Sequence, residues 1–223
     1  MLSSLWTIVI TISISTLRMR LCILTLDMNK KSATLIVLAG GKSERMGVPK
    51  HLLPTPQGRL IDHLHRKLSS QFAESLLVGR NLAATGGEWR MVEDVFPGQG
   101  VLVGIYSGLL SSNTDVNFIL ACDMPFVVPE LVSHLISLCS PAVDAVVPIV
   151  RGYYEPLFAV YRKSSIPGIH RALERGKLKV SGIYDTSRVH TVEEQEIRSF
   201  DPELTSFINL NTPDQISLLS QLR

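Results

Sequence analysis

A single α/β three-layer sandwich around a mainly parallel sheet is the fold this sequence predicts, on three observations. Short apolar runs, among them Leu35–Leu38 and Asn117–Cys122 (NFILAC), are bounded by polar or glycine-rich segments. Longer mixed segments with apolar residues at helical spacing alternate with those runs. The 223 residues are 45% hydrophobic with a net charge of +2, enough for one substantial core. Strands buried on both faces and separated by helices are the signature of a parallel sheet with helices on either side.

Each element follows from local pattern. Ala33–Leu38 is the first strand, stopped by Ala39-Gly40-Gly41. Ile61–Phe72 reads as a helix because Ile61, Leu64, Leu68 and Phe72 recur on one face. Ser75–Val78 and Arg90–Val92 are short strands, the latter delivering Glu93-Asp94. Val101–Leu110 suits a helix entered through the Gly98–Gly100 turn. Asn117–Cys122 is a buried strand with Asp123 at its end, and Glu130–Leu138 is helical. Ala145–Ile149 and Phe158–Tyr161 are strands, and Ile166–Arg175 is a helix stopped by Gly176. Thr212 is placed to cap a last helix, with Pro213 in its first turn.

The domain is expected to occupy residues 33–223, behind a leader of residues 1–32. Within that leader, Leu5–Leu17 is too short to span a bilayer as a helix, and its arginines follow rather than precede it. Met28-Asn29-Lys30-Lys31 resembles a natural start, which makes the upstream residues a mis-assigned extension; a membrane-associating extension is the competing account. Beyond it no segment is expected to meet a membrane. The small net charge argues against a broad nucleic-acid surface, so any anion site is local. Cys22, Cys122 and Cys139 form no CxxC pair and read as buried thiols in a reducing, cytoplasmic setting.

The chemistry is expected at the carboxyl ends of the strands, where ligands bind in open α/β sheets. The loop after the first strand reads Leu38-Ala39-Gly40-Gly41-Lys42-Ser43, followed by Arg45, Gly47 and Lys50. Adjacent glycines let backbone N–H groups face an anion, and the cations add charge-assisted hydrogen bonds. The spacing is neither GxxxxGK[ST] nor GxGxxG. Asp123 at the mouth of an apolar strand suits Mg²⁺, a hard cation served by oxygen ligands. It would equally suit a turn cap accepting backbone N–H bonds. Asn209 and Asn211, two apart on an expected strand, would share a face toward one ligand, or satisfy backbone groups before the last helix. Lys177 and Lys179 offer two ammonium groups on one side of an extended segment, or simply cations at a helix end.

LAGGKSERMGVPK at Leu38–Lys50 resembles the opening signature of the Rossmann-like nucleotidyltransferases. ACDMPF at Ala121–Phe126, EPLFAVY at Glu155–Tyr161 and FINLNTPDQ at Phe207–Gln215 follow in order. Together, over about residues 33–216, they look like the molybdenum cofactor guanylyltransferase family. The resemblance implies transfer of GMP from GTP to the terminal phosphate of molybdopterin, with release of pyrophosphate. It implies that Leu38, Ala39, Gly40 and Gly41 form the nucleotide loop, with Arg45 and Lys50 on the phosphates. Asp94 would contact the nucleoside and Asp123 would carry Mg²⁺. Glu155, Lys177, Lys179, Asn209 and Asn211 would face the acceptor, and molybdoenzyme apoproteins or their chaperones would be partners. Two departures stand out: Gly100-Val101-Leu102-Val103-Gly104 replaces the usual GPLAG, and Gly79 stands where an Asn often reads the base. A cytidylyl or other nucleotidyl transfer, and a non-catalytic nucleotide-binding adaptor, are the rival expectations.

Overall fold

The computed structural model describes residues 32–39, 49–80, 82, 89–96 and 100–222. Among these, one sheet runs in the order β10-β7-β9-β6-β1-β4-β5. Its strands are β1 (Ala33–Leu38), β4 (Glu74–Val78), β5 (Arg90–Val92), β6 (Val116–Ala121), β7 (Ala145–Val150), β9 (Phe158–Arg162) and β10 (Val189–Val192). β1 pairs in parallel with both β4 and β6, β4 with β5, and β7 with β10. β9 is antiparallel to both its neighbours, β6 and β7. The sheet is thus mixed but mainly parallel, as expected.

The layers follow from side-chain alternation along β1. Leu35 and Val37 point into a core shared with α1 (Leu60–Leu68) and α3 (Pro129–Ser137). Ile36 and Leu38 point into the opposite core, built with α2 (Val101–Ser111) and α4 (Ile166–Glu174). Helix α2 lies close on β1 because Gly108 has no side chain: a Cβ there would fall 2.7 Å from Ile36 Cγ2. A third, smaller cluster joins Leu53 and Leu60 to Leu210, Leu219 and Leu222, drawing the C-terminal segment onto the turn that follows Lys50. That segment ends in α6 (Pro213–Ser217), with Thr212 and Gln215 forming the reciprocal cap. Among the described residues no helix is long and apolar enough to cross a membrane.

Several expectations needed revision. The helix anticipated over Ile61–Phe72 stops at Leu68, and Ser69–Gln71 continues as a single 3-10 turn. The stretch Ile208–Asn211 is not a strand of the sheet; Ile208 N bonds Thr205 O at 3.1 Å within the preceding turn, and Leu210 N bonds Asp123 O at 2.9 Å. Four short pieces had no signal strong enough to be anticipated. They are the hairpin β2 (Pro54–Thr55) and β3 (Gly58–Arg59), strand β8 (Tyr153–Tyr154) on β7, strand β10, and α5 (Glu194–Ile197).

Two buried imidazoles make this fold sensitive to acid. His51 and His63 are 3% and 5% exposed, and desolvation holds both below the ordinary histidine range. Arg59 adds to the effect on His51; Lys67 and Arg66 add to it on His63. The unfolded chain therefore binds protons that the folded chain refuses. Stability is fully present above the unfolded value of 6.5 and is lost as pH falls through the lower folded values. We expect the denaturant midpoint to fall on acidification from that value, and His63→Gln to flatten the dependence. A midpoint constant down to pH 5 would contradict the assignment.

Candidate active site

Main-chain hydrogen bonding continues past the ends of the parallel strands and brings their tips to one edge. Ala39 N donates to Val78 O (2.8 Å), Gly79 N to Val92 O (3.1 Å) and Cys122 N to Leu38 O (3.1 Å). With Leu38 paired to Ala121, the chain leaving β1 and the chain leaving β6 start side by side. Asp123 is the next residue on one; Gly40 and Gly41 follow Ala39 on the other. Gly40, Gly41 and Arg45 lie outside the described residues.

Lys50 re-enters at the start of a 3-10 turn, Lys50–Leu52, and its ammonium bridges two segments remote in sequence. Nζ donates to Asp123 Oδ2 and to Asn211 Oδ1, both at 2.7 Å. The ion pair is largely shielded, with side-chain exposures of 23% and 18%. Asp123 therefore points outward to a cation and does not cap the following helix, whose cap position is Val128. Pro125 biases Met124 toward extended backbone, which turns the chain here. Of the two asparagines, Asn211 joins the Lys50–Asp123 pair, and Asn209 is half-buried. The thiol of Cys122, wholly buried beside this pair, is pushed up to about 12 by desolvation and is chemically inert.

A second acidic position sits three strands away from Asp123 along the sheet. Asp94 follows β5, half-buried, against the first turns of α2. Burial raises its pKa, an effect opposed by Arg80. Its Oδ1 is buried with no hydrogen-bond partner among the described residues. A Cβ on Gly104 would touch that oxygen at 3.7 Å and Leu38 Cδ2 at 3.4 Å. Asp94, Gly104 and Leu38 thus meet at one point behind the strand tips. Arg80, beside Asp94, was not anticipated. Its place two residues past the buried end of β4 is the signal that would have found it.

Alongside runs a groove of about 440 Å³ lined by Val101, Tyr153, Tyr154, Pro156, Leu178 and Lys179, among others. Its aromatic wall exists because Arg151 and Gly152 both take left-handed conformations (φ 52° and 79°), folding β8 tightly back on β7. Beneath it, Tyr184 and Tyr161 share a 2.8 Å hydroxyl contact, and Tyr161 Oη donates to Pro156 O. Of the expected acceptor residues, only Lys179 lines the groove. Lys177 belongs to the helix stop: its N–H bonds Ala172 O, and Gly176 N–H bonds Leu173 O, with Gly176 at φ 67°. Glu155 lies next to Pro156, half-buried, its carboxyl raised by desolvation and drawn back by Arg151. Groove and Asp94 are neighbours through α2: Val101 lines one and Gly104 touches the other, three residues or about 4.5 Å of helix apart.

The described residues include no cluster of three or more His, Cys, Asp or Glu side chains suited to a metal. Asp123 is a carboxylate that could hold a hard cation such as Mg²⁺, which commonly keeps several waters and takes further oxygens from substrate phosphates.

Comparison with known proteins gives this geometry a family. The model of the MobA-like NTP transferase domain matches residues 35–189. The chain belongs to that family. A molybdenum cofactor guanylyltransferase of Desulfosudis oleivorans is 34% identical over 187 residues, covering 83% of this chain and 93% of the relative. A probable molybdenum cofactor guanylyltransferase of Methanosarcina mazei is 37% identical over 194 residues, covering 81% and 87%. The crystal structure of molybdopterin-guanine dinucleotide biosynthesis protein A from Archaeoglobus fulgidus superposes with a TM-score of 0.72 at 30% identity, covering 84% of this chain and 97% of that one. A cytidylyltransferase of Thermus thermophilus, 17% identical with a TM-score of 0.62, shares the fold.

Gly104 offers a direct probe of the Asp94 side of this NTP transferase. Gly104→Ala places its Cβ in ordinary contact and should leave nucleotide affinity unchanged. Gly104→Val pushes a methyl into the Asp94 carboxylate, an overpacking cost of about 1–3 kcal/mol. Nucleoside triphosphate affinity by calorimetry should then fall about tenfold; equal affinities for both variants would show that Asp94 is not at the nucleotide.

Proposed function

We propose that this chain is a molybdenum cofactor guanylyltransferase, moving GMP from GTP to the terminal phosphate of molybdopterin. The observation that carries the proposal is the meeting of Lys50, Asp123 and Asn211 at adjoining strand tips, beside a groove that can seat a second substrate. The identity of both substrates comes from the names of relatives that align over most of this chain. An oxygen of the acceptor phosphate forms a bond to the α-phosphorus of GTP as the bond to the β-phosphate oxygen breaks, and pyrophosphate leaves. The attacking phosphate is already ionised near neutral pH, so the chain's own task is alignment and charge neutralisation.

In this proposal the β1 loop (Leu38, Ala39, Gly40, Gly41) cradles the triphosphate, with Arg45 and Lys50 on its oxygens. Asp94 accepts from the nucleoside; its buried oxygen, without a partner among the described residues, supports that role. Asp123 holds the divalent cation, taken to be Mg²⁺, which when bound neutralises charge on the triphosphate. The Lys50 ammonium then serves the phosphates instead of Asp123. The groove takes the acceptor, with Tyr153 and Tyr154 offering ring faces to a flat heterocycle and Lys179 a cation to its phosphate. Asn211, Asn209, Glu155 and Lys177 are assigned to the border between the two substrates. Gly79 offers no side chain to the base, so guanine selection falls to backbone groups and to the residues beside Asp94.

Pyrophosphate release with each nucleoside triphosphate, Mg²⁺ and molybdopterin tests the assignment. GTP should be preferred over CTP by about a hundredfold or more in kcat/KM, the scale at which polar contacts discriminate bases. Preference for CTP would make the enzyme a cytidylyltransferase, and no release with any triphosphate would favour a binding adaptor. Asp123→Asn should lower kcat by about 10²–10³, as does loss of a single charge-stabilising group. Its stability should shift by under about 1 kcal/mol, the worth of a partly exposed ion pair. Lys50→Gln separates the roles further. Freed of the competing ammonium, Asp123 should bind Mn²⁺ alone more tightly, while affinity for GTP falls. Weaker Mn²⁺ binding by that variant would place the metal elsewhere.

A further inference from the structure

A buried acid remote from the strand tips has no part in the proposal above. Asp201 is 2% exposed and spends both carboxylate oxygens on the turn that follows it. Oδ1 accepts Thr205 N–H at 2.9 Å and the Thr205 hydroxyl at 3.0 Å; Oδ2 accepts Ser206 N–H at 2.7 Å. Leu204, held inside this loop, takes a left-handed conformation at φ 56°, which a leucine adopts only when its surroundings impose it. Three hydrogen bonds from the turn converge on this carboxyl group, so one side chain fixes the whole turn.

What that turn holds is the chain leaving Asp123. The Ser206 hydroxyl oxygen, fully buried, accepts Val128 N–H at 3.0 Å. Thr205 Oγ1 also approaches Phe126 O at 3.4 Å, but its single proton goes to the nearer Asp201 carboxylate, so Ser206 makes the firm link. Further along the same segment, Leu210 N–H bonds Asp123 O at 2.9 Å, and Asn211 receives the Lys50 ammonium. The turn from Asp123 to Val128 is therefore fastened to residues 206–210 at both ends. From the other side the His63 ring bonds the backbone of Pro125, whose one available group is its carbonyl. The charged neighbours converging here are Lys67 of α1, Glu130 of α3 and Asp201 itself.

We propose that Asp201 is the positioning residue of this active site: through Ser206 it sets the Asp123–Val128 turn, and so aims Asp123 and Asn211 at one metal–nucleotide. This rests on the assignment of Asp123 to the cation. Asp201→Asn keeps the shape but offers one oxygen for three donors, and its amide meets an N–H donor head-on. Ser206→Ala leaves the Asp201 turn intact and cuts only the link to Val128.

The test uses the full chain, with Asn117→Leu as a control for lost stability alone. Asn117 is fully buried at the opposite end of β6, bonded to Thr114, Asp115 and Tyr161 carbonyls. Hydrogen exchange across residues 123–128 and Mn²⁺ affinity in the presence of GTP are read for all three variants. Asp201→Asn and Ser206→Ala should each speed exchange of that segment about tenfold or more. They should weaken Mn²⁺ binding about 10–100-fold, as loss of an outer support does, and lower kcat with little change in KM for GTP. Asn117→Leu should do none of these at an equal loss of Tm. Unchanged exchange and Mn²⁺ affinity in Ser206→Ala would overturn the proposal even if Asp201→Asn fails to fold. Wild-type protein that binds Mn²⁺ and GTP but transfers nothing to molybdopterin would refute the proposed reaction and leave the positioning role standing.

Discussion

The parallel register of β1 against β6 is the constraint on which the rest of this molecule depends. It pairs Leu38 with Ala121 and ends with Cys122 N–H on the Leu38 carbonyl, so the two outgoing chains emerge as neighbours. A shift of one residue would reverse which side chains of β1 face which core. Leu35 and Val37 would then meet α2, where Gly108 leaves room only for the present contact with Ile36. Packing on both faces thus specifies the register, and the register specifies that Asp123 emerges beside the chain that leaves Leu38.

Upon that frame, Lys50 closes a loop between segments that the sheet alone would not join. Its ammonium reaches Asp123 from one side of the chain and Asn211 from the other, at 2.7 Å each. The small cluster of Leu53, Leu60, Leu210, Leu219 and Leu222 is what brings Asn211 within reach, because Leu210 is buried there while its neighbour stays exposed. Hydrophobic burial supplies the proximity, and the charge supplies the direction. An ammonium placed this way compensates the Asp123 carboxylate at a position where both side chains are largely shielded from water.

Much of this was legible in the residues, and the exceptions have identifiable causes. Strands β1 and β6 could be located from apolar runs because both their faces are buried, whereas β5 is a short, largely exposed edge strand that is placed by its position in the alternation of elements. Their tips carried Asp94 and Asp123 with them. The capping of α6 was equally plain, since Thr212, Pro213 and Gln215 each have one local task. Asn209 and Asn211 misled because alternation suggests a strand, whereas the chain there is extended by its contacts with Asp123 and with the leucine cluster rather than by a ladder. At Lys177 the helix stop engages the backbone N–H, a contact that sequence does not display. Tyr153 and Tyr154 went unnoticed because their importance comes from a tight left-handed turn at Arg151-Gly152, whose effect is to fold two exposed rings over a groove. Asp201 was silent for another reason: its partners are backbone N–H groups, which sequence does not display.

The central claim is that Lys50 and Asp123 serve one triphosphate together. A crystal structure of the chain with GTP and a divalent cation tests it most directly. The account requires the Lys50 ammonium to have left Asp123 for a phosphate oxygen, with the cation between the Asp123 carboxylate and the triphosphate. A triphosphate bound elsewhere, with the Lys50–Asp123 pair still closed at its present distance, would contradict it.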